Sequence, residues 1–162
     1  MERLQFKITI DASPEKVWEA LWSEATYPVW TSPFAVGGSV KTDWKKGSKV
    51  LFLDGNNEGM VSMIAENTPN EIMSFRHLGT YSNGVEDMEE ARKKGWSGAI
   101  ENYTLRAQNE KTLLIIDQDI DEEHKAMFTE IWPKALHELK TLAEGGAMKD
   151  LVTEGSASNK RG

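Results

Sequence analysis

The sequence predicts an α+β domain: one strand, two short helices, six further strands in mostly antiparallel order, and a long C-terminal helix. Three observations carry that prediction. Leu4, Phe6, Ile8 and Ile10 alternate with polar Gln5, Lys7 and Thr9, the period of a strand with one buried face. Between Gly38 and Ile120, short β-rich runs are separated by turn formers. From Asp121 to Ala143, apolar residues return at helical spacing.

Taken in order, the first strand runs into Ser13-Pro14, an N-cap followed by a proline at the first helical position. Val17, Trp18, Leu21 and Trp22 then share one helical face. Pro28 and Pro33 limit the next element to a very short helix within Ala25 to Trp30. Six strands are expected over Val40–Trp44, Lys49–Leu53, Met60–Ala65, Ile72–Leu78, Trp96–Ala107 and Thr112–Ile120. Their separators, such as Asp54-Gly55-Asn56-Asn57 and Asn67-Thr68-Pro69-Asn70, are short enough to imply a meander. The connection Gly79 to Gly95 is the exception in length. Its pairs Glu89/Lys93 and Glu90/Lys94, with Val85, Met88 and Ala91 opposite, predict a short surface helix, either a lid or a plain solvated loop. Phe128, Ile131, Trp132, Ala135, Leu136, Leu139 and Leu142 form the stripe of the last helix. Acidic residues Asp121 to Glu123 suit its start, Gly145-Gly146 its end, and Pro133 is expected to bend it or begin a new segment. Residues 1–144 are thus expected to be the domain and 145–162 a polar tail.

The chain has 162 residues, 39% apolar and 28% charged, with a net charge of −7. Together with a mean hydropathy of −0.52 and a pI near 5.1, this describes a globular chain without the basic footprint of nucleic-acid or anionic-lipid binding. The absence of cysteine excludes disulfides, a thiolate nucleophile and thiolate metal ligation. The N-terminal MERLQFKITI lacks the apolar run of a signal peptide, so the expected compartment is the cytoplasm, with no membrane insertion.

Three segments are specific: ITIDASPEKVWEALWSEATYPVW at Ile8 to Trp30, TDWKKGSKVLF at Thr42 to Phe52, and IWPKALHELKTL at Ile131 to Leu142. They resemble the SRPBCC, or START-like, superfamily, and within it the homologues of the activator of heat-shock protein 90 ATPase. The best motif is Ala12, Ser13, Pro14, Glu15, Val17, Trp18 and Leu21, supported by Trp132, Pro133, Leu136 and Leu139. The resemblance implies a helix-grip fold, a seven-stranded sheet curved around the C-terminal helix, with a cavity between them for an apolar or amphipathic small molecule. Relatives include lipid carriers, polyketide cyclases and co-chaperone domains, so the partner implied is a small molecule, or else a chaperone or other protein. The co-chaperone proper carries a further N-terminal domain that engages the chaperone. A chain of 162 residues is expected to have no room for it.

Other chemistries fail on spacing. His124 and His137 are about 20 Å apart on a helix at 1.5 Å per residue and cannot share a metal. The run from Asp117 begins like a calcium loop but has Glu122 where glycine is required and Phe128 where glutamate is required; it reads as helix capping. Gly95-Trp96-Ser97-Gly98 misses the spacing of a nucleophile elbow, and no phosphate loop or cofactor motif is present. Strand parity, however, aims polar groups inward. Gln118 follows Leu114 and Ile116, Tyr103 and Glu101 follow Leu105, and His77 follows Met73 and Phe75. Trp30, His77, Tyr103, Gln118, Phe128 and Trp132 are therefore the expected cavity residues, with Trp30 and Phe128 near the rim. Taken one at a time, a buried Tyr or His equally serves the core alone. In an enzyme of the cyclase or dehydratase kind, His77, Tyr103 and Glu101 would be the acid and base candidates.

Overall fold

The structure is a computed structural model that describes residues 1–145; the tail expected beyond Gly145 lies outside the described residues. Strand β1, Glu2–Ile10, shows the expected alternation, with the even positions from Leu4 turned inward. Helix α1, Pro14–Trp22, is capped by Ser13, whose Oγ accepts the Lys16 N–H at 3.3 Å, and it buries Val17, Ala20 and Leu21. Helix α2 is one turn, Tyr27–Trp30. Strands β2 (Ser39–Lys41), β3 (Lys49–Leu53), β4 (Glu58–Thr68) and β5 (Ile72–Ser82) follow as a meander. Strand β6, Val85–Asp87, and helix α3, Glu89–Lys94, precede β7 (Ala99–Gln108) and β8 (Lys111–Ile120). A single 3₁₀ turn, Glu122–His124, leads into helix α4, Lys125–Ala143.

These strands make one antiparallel sheet in the order β1-β8-β7-β5-β4-β3-β2, with β6 on β5. The helix-grip architecture is thus present, with one strand more than the seven expected. The addition lies in the Gly79 to Gly95 segment. Strand β5 pairs with β7 over Ile72 to His77, then continues and pairs over Thr80 to Ser82 with β6. Gly79 permits the crossing: a Cβ there would lie 2.4 Å from the Asp87 carbonyl oxygen and 2.9 Å from Met88 Cα. Helix α3 carries the expected Glu90–Lys94 pair at 3.2 Å, but Glu89 meets Arg92 rather than Lys93. Ala91 packs inward, whereas Val85, expected beside it, is exposed on β6.

Other boundaries move for local reasons. Strand β2 stops at Lys41 because Trp44 adopts φ 66°, held by its N–H on Thr42 Oγ1 and by Asn67 Nδ2 on its carbonyl. Strand β7 starts at Ala99 rather than Trp96 because Gly95 and Gly98 both turn at positive φ. Helix α4 runs through Pro133 as one element, so no new segment begins there. The 3₁₀ turn that leads into it is capped by Asp121, whose Oδ1 accepts the His124 N–H at 2.9 Å. The end of α4 is tied to β1 by Glu144, which accepts the Asp11 N–H at 2.8 Å and pairs with Lys140.

The core lies between the concave sheet face and helices α1 and α4, where Leu21, Phe75, Leu114, Ile116, Trp132 and Leu139 are closed off from solvent. Two register shifts between β4 and β5, one leaving Leu78 of β5 unpaired and one leaving Ala65 of β4 unpaired, are the sheet's local irregularities. Among the described residues, no helix is long and apolar enough to cross a membrane.

Candidate functional site

Where the N-terminal half of α4 stands off the sheet, a pocket of about 560 Å³ remains between them. That volume falls within the range typical of small-molecule sites. Helix α2 and the turn after it contribute Tyr27, Trp30 and Phe34, the β3–β4 hairpin Phe52 and Met60, and α4 Phe128 and Trp132. The sheet floor contributes His77 from β5, Glu101 and Tyr103 from β7, and Gln118 from β8. All six residues expected from strand and helix parity line this one pocket. Phe128 stands half-buried beside Phe34 and His124, at the rim. Trp30 lies deeper than expected: it is 1% exposed, and its indole N–H donates to the Leu21 carbonyl at 3.0 Å, so it shows the pocket a ring surface only. The expected surface segment borders the mouth through Lys94 and Trp96.

The polar residues form one connected network. Glu101 Oε1 receives His77 Nε2 at 2.8 Å and Gln118 Nε2 at 3.4 Å, and Oε2 receives the Tyr103 hydroxyl. Gln118 is oriented in turn by Trp132, whose Nε1–H donates to its Oε1 at 2.7 Å. On the other side of the imidazole, Ser62 Oγ lies 2.7 Å from His77 Nδ1. A carboxylate oxygen accepts, so His77 Nε2 donates to Glu101, while the Ser62 hydroxyl, able to donate or accept, meets Nδ1. Burial, and next the charge of Glu101, raise the Tyr103 phenol well above its ordinary range, so it remains a donor at neutral pH. The same two causes, in the same order, raise Tyr27.

Sequence reasoning missed Ser62. It is fully buried and does not line the pocket, so it fixes the imidazole and is not placed to attack a ligand. It shares inward parity with Ile64, but its pairing opposite His77 depends on the register shift between Ile64 and Glu66. His77 has both ring nitrogens engaged, one by Ser62 and one by Glu101. Near the mouth, Asp121, Glu123 and His124 bring possible ligand atoms within 4.8 Å of one another. Asp121 Oδ1 already receives His124 through both its backbone N–H and Nδ1, which makes this arrangement a helix cap.

A curved antiparallel sheet around a C-terminal helix, with a pocket between them, defines a helix-grip domain of the SRPBCC, or START-like, class. The profile of the family "Activator of Hsp90 ATPase homolog 1-like protein" matches residues 11–144, and the chain belongs to that family. No curated protein matches it. Among solved structures, it is similar to the Aha1 dimer from Colwellia psychrerythraea, with a TM-score of 0.66 and 21% identity over 90% of this chain and 98% of that one. It is similar also to CV1439 from Chromobacterium violaceum, with a TM-score of 0.62 and 20% identity over 89% of this chain and 99% of that one. CalU16 from Micromonospora echinospora gives a TM-score of 0.61 and 16% identity over 96% of this chain and 85% of that one. At these identities the likeness speaks for the fold alone.

Proposed function

We propose that the chain is a binding module that holds an apolar or amphipathic small molecule between the sheet and α4. The observation that supports this most is the pairing of aromatic walls with one hydrogen-bonded polar cluster inside a single pocket of ligand size. The aromatic surface supplies affinity through burial of apolar area, and the polar cluster supplies orientation. Native mass spectrometry of protein purified from its host, together with titration of the neutral dye Nile red, tests the reading. One ligand of constant mass, or one dye per chain, is expected. Ala99→Phe places a ring beside His77 within the pocket wall and should abolish dye binding without unfolding the protein. Dye binding unchanged in that variant would place any ligand elsewhere.

A second reading is favoured by the contact between His77 and Glu101. A carboxylate that is oriented by an imidazole and a phenol beside an apolar pocket is equipped to remove a proton next to a carbonyl, as a cyclase or dehydratase requires. In that reading Glu101 is the base and His77 and Tyr103 position it. Cyclisation of a synthetic linear triketone, followed by ultraviolet absorbance, should proceed with the native chain and stop in Glu101→Gln. Equal rates with and without protein would reject it.

A further inference from the structure

Four donors on the pocket's inner wall are directed at the protein itself. The Trp30 N–H goes to the Leu21 carbonyl, the Trp132 N–H to Gln118, and the His77 Nε2–H and Tyr103 hydroxyl to Glu101. Beside the neutral Tyr27 hydroxyl and Gln118 amide, the charged group of the inner wall is an acceptor. A carboxylate offers about four lone-pair positions, and Glu101, which lines the pocket, meets three donors, so about one position is left for a ligand. The rest of the lining repeats the same sign, with Asp54, Glu58, Asp121 and Glu123 against Lys94, His124 and the amino group of Met1. Lys94 is already paired with Glu90 at 3.2 Å, and Asp119, also in the wall, with Arg3 at 2.9 Å.

We infer that the molecule held here is a cationic amphiphile, whose apolar body lies against Trp30, Phe34 and Trp132 and whose protonated amine donates to the open Glu101 oxygen. The inference rests on the binding reading above and adds the ligand's polar class. A neutral alcohol satisfies the acceptor but gains nothing from the charge. A carboxylate-headed ligand meets the carboxylate of Glu101 and a lining with an excess of its own sign. A charge-assisted hydrogen bond in a partly buried site is stronger than its neutral counterpart, so an amine is favoured over an alcohol of equal chain length by about tenfold or more.

The test compares octylamine, 1-octanol and octanoate by calorimetry at neutral pH and low salt, in the native chain and in Glu101→Gln, with the fold of the variant checked by circular dichroism. The expected order is octylamine, then octanol, then octanoate, with the amine's advantage over octanol lost in Glu101→Gln while octanol binding persists. Octanoate binding as tightly as octylamine, or an amine advantage unchanged by Glu101→Gln, would overturn the inference while leaving the binding module standing. If none of the three binds, the module itself fails and the inference with it. Should the variant not fold, the order in the native chain decides alone.

Discussion

Trp132 joins the fold to the polar network, and replacing it in two ways separates those roles. Its ring is 2% exposed and meets Phe34 at 4.9 Å, Phe6 at 5.8 Å, and Trp30 and Tyr103 each at 6.2 Å between centroids. A tryptophan that buries roughly 200 Å² at about 25 cal/mol per Å² stabilises by at most about 5 kcal/mol. Trp132→Ala is therefore expected to cost about 3–5 kcal/mol, the range observed for truncating large buried aromatics. Trp132→Phe keeps most of the packing and deletes the N–H that Gln118 accepts. Its cost should be about 1–2 kcal/mol, because the abandoned carbonyl faces a pocket that water can enter. Urea unfolding followed by far-ultraviolet circular dichroism, with equal slopes for all three proteins, measures both values. A loss well under 1 kcal/mol for Trp132→Ala would refute the packing of α4 on the sheet. Equal losses for the two variants would refute the separation of ring from hydrogen bond.

Gly79→Ala should destabilise by about 1–3 kcal/mol in the same assay, since its Cβ would meet backbone atoms of Asp87 and Met88; a neutral result would mean that β6 does not cross there. Acid should weaken the fold. Burial raises the Asp119 carboxyl, but the Arg3 side chain and the Ile100 N–H outweigh it, and Lys140 followed by the Asp11 N–H lowers Glu144. Both folded-state values thus lie below the unfolded ones, near 4, so their stabilisation is present above about pH 4 and lost as pH falls through the folded values. Melting temperatures that do not fall below pH 4 would contradict this. Pro133→Ala restores a donor to the Thr129 carbonyl and should stabilise by up to about 3 kcal/mol. Because Phe128 and Trp132 line the pocket before the proline, while Leu136 and Leu139 pack in the core after it, the variant should also slow the entry of Nile red. Unchanged stopped-flow rates would show that the proline does not gate the pocket.

The elements that were legible in the sequence are those whose signal is local. Ser13-Pro14 starts α1, the stripe from Phe128 to Leu142 specifies α4, and alternation at Leu4 to Ile10 specifies β1, because each needs only its neighbours in the chain. The strand β6 was not legible. Val85 to Asp87 carries no alternation, and what makes it a strand is the continuation of β5 past Gly79, a non-local pairing. Trp44 is a similar case: its left-handed backbone is held by Asn67, 23 positions away.

The site follows the same division. Strand parity brought Tyr103 and Gln118 to one face, since side chains alternate strictly within a strand. Joining them to His77 needed register between strands, and register in β4 changes beside Ser62 and again past Ile64. The shift between Ile64 and Glu66 is what sets Ser62 opposite His77, where its hydroxyl meets Nδ1. The shifts leave no sign in the composition of Met60 to Ala65, which reads as an ordinary strand. Inward-facing residues can thus be identified from a single strand. The contacts they make depend on the pairing between strands, because here a serine one strand away holds one nitrogen of the imidazole whose other nitrogen meets Glu101.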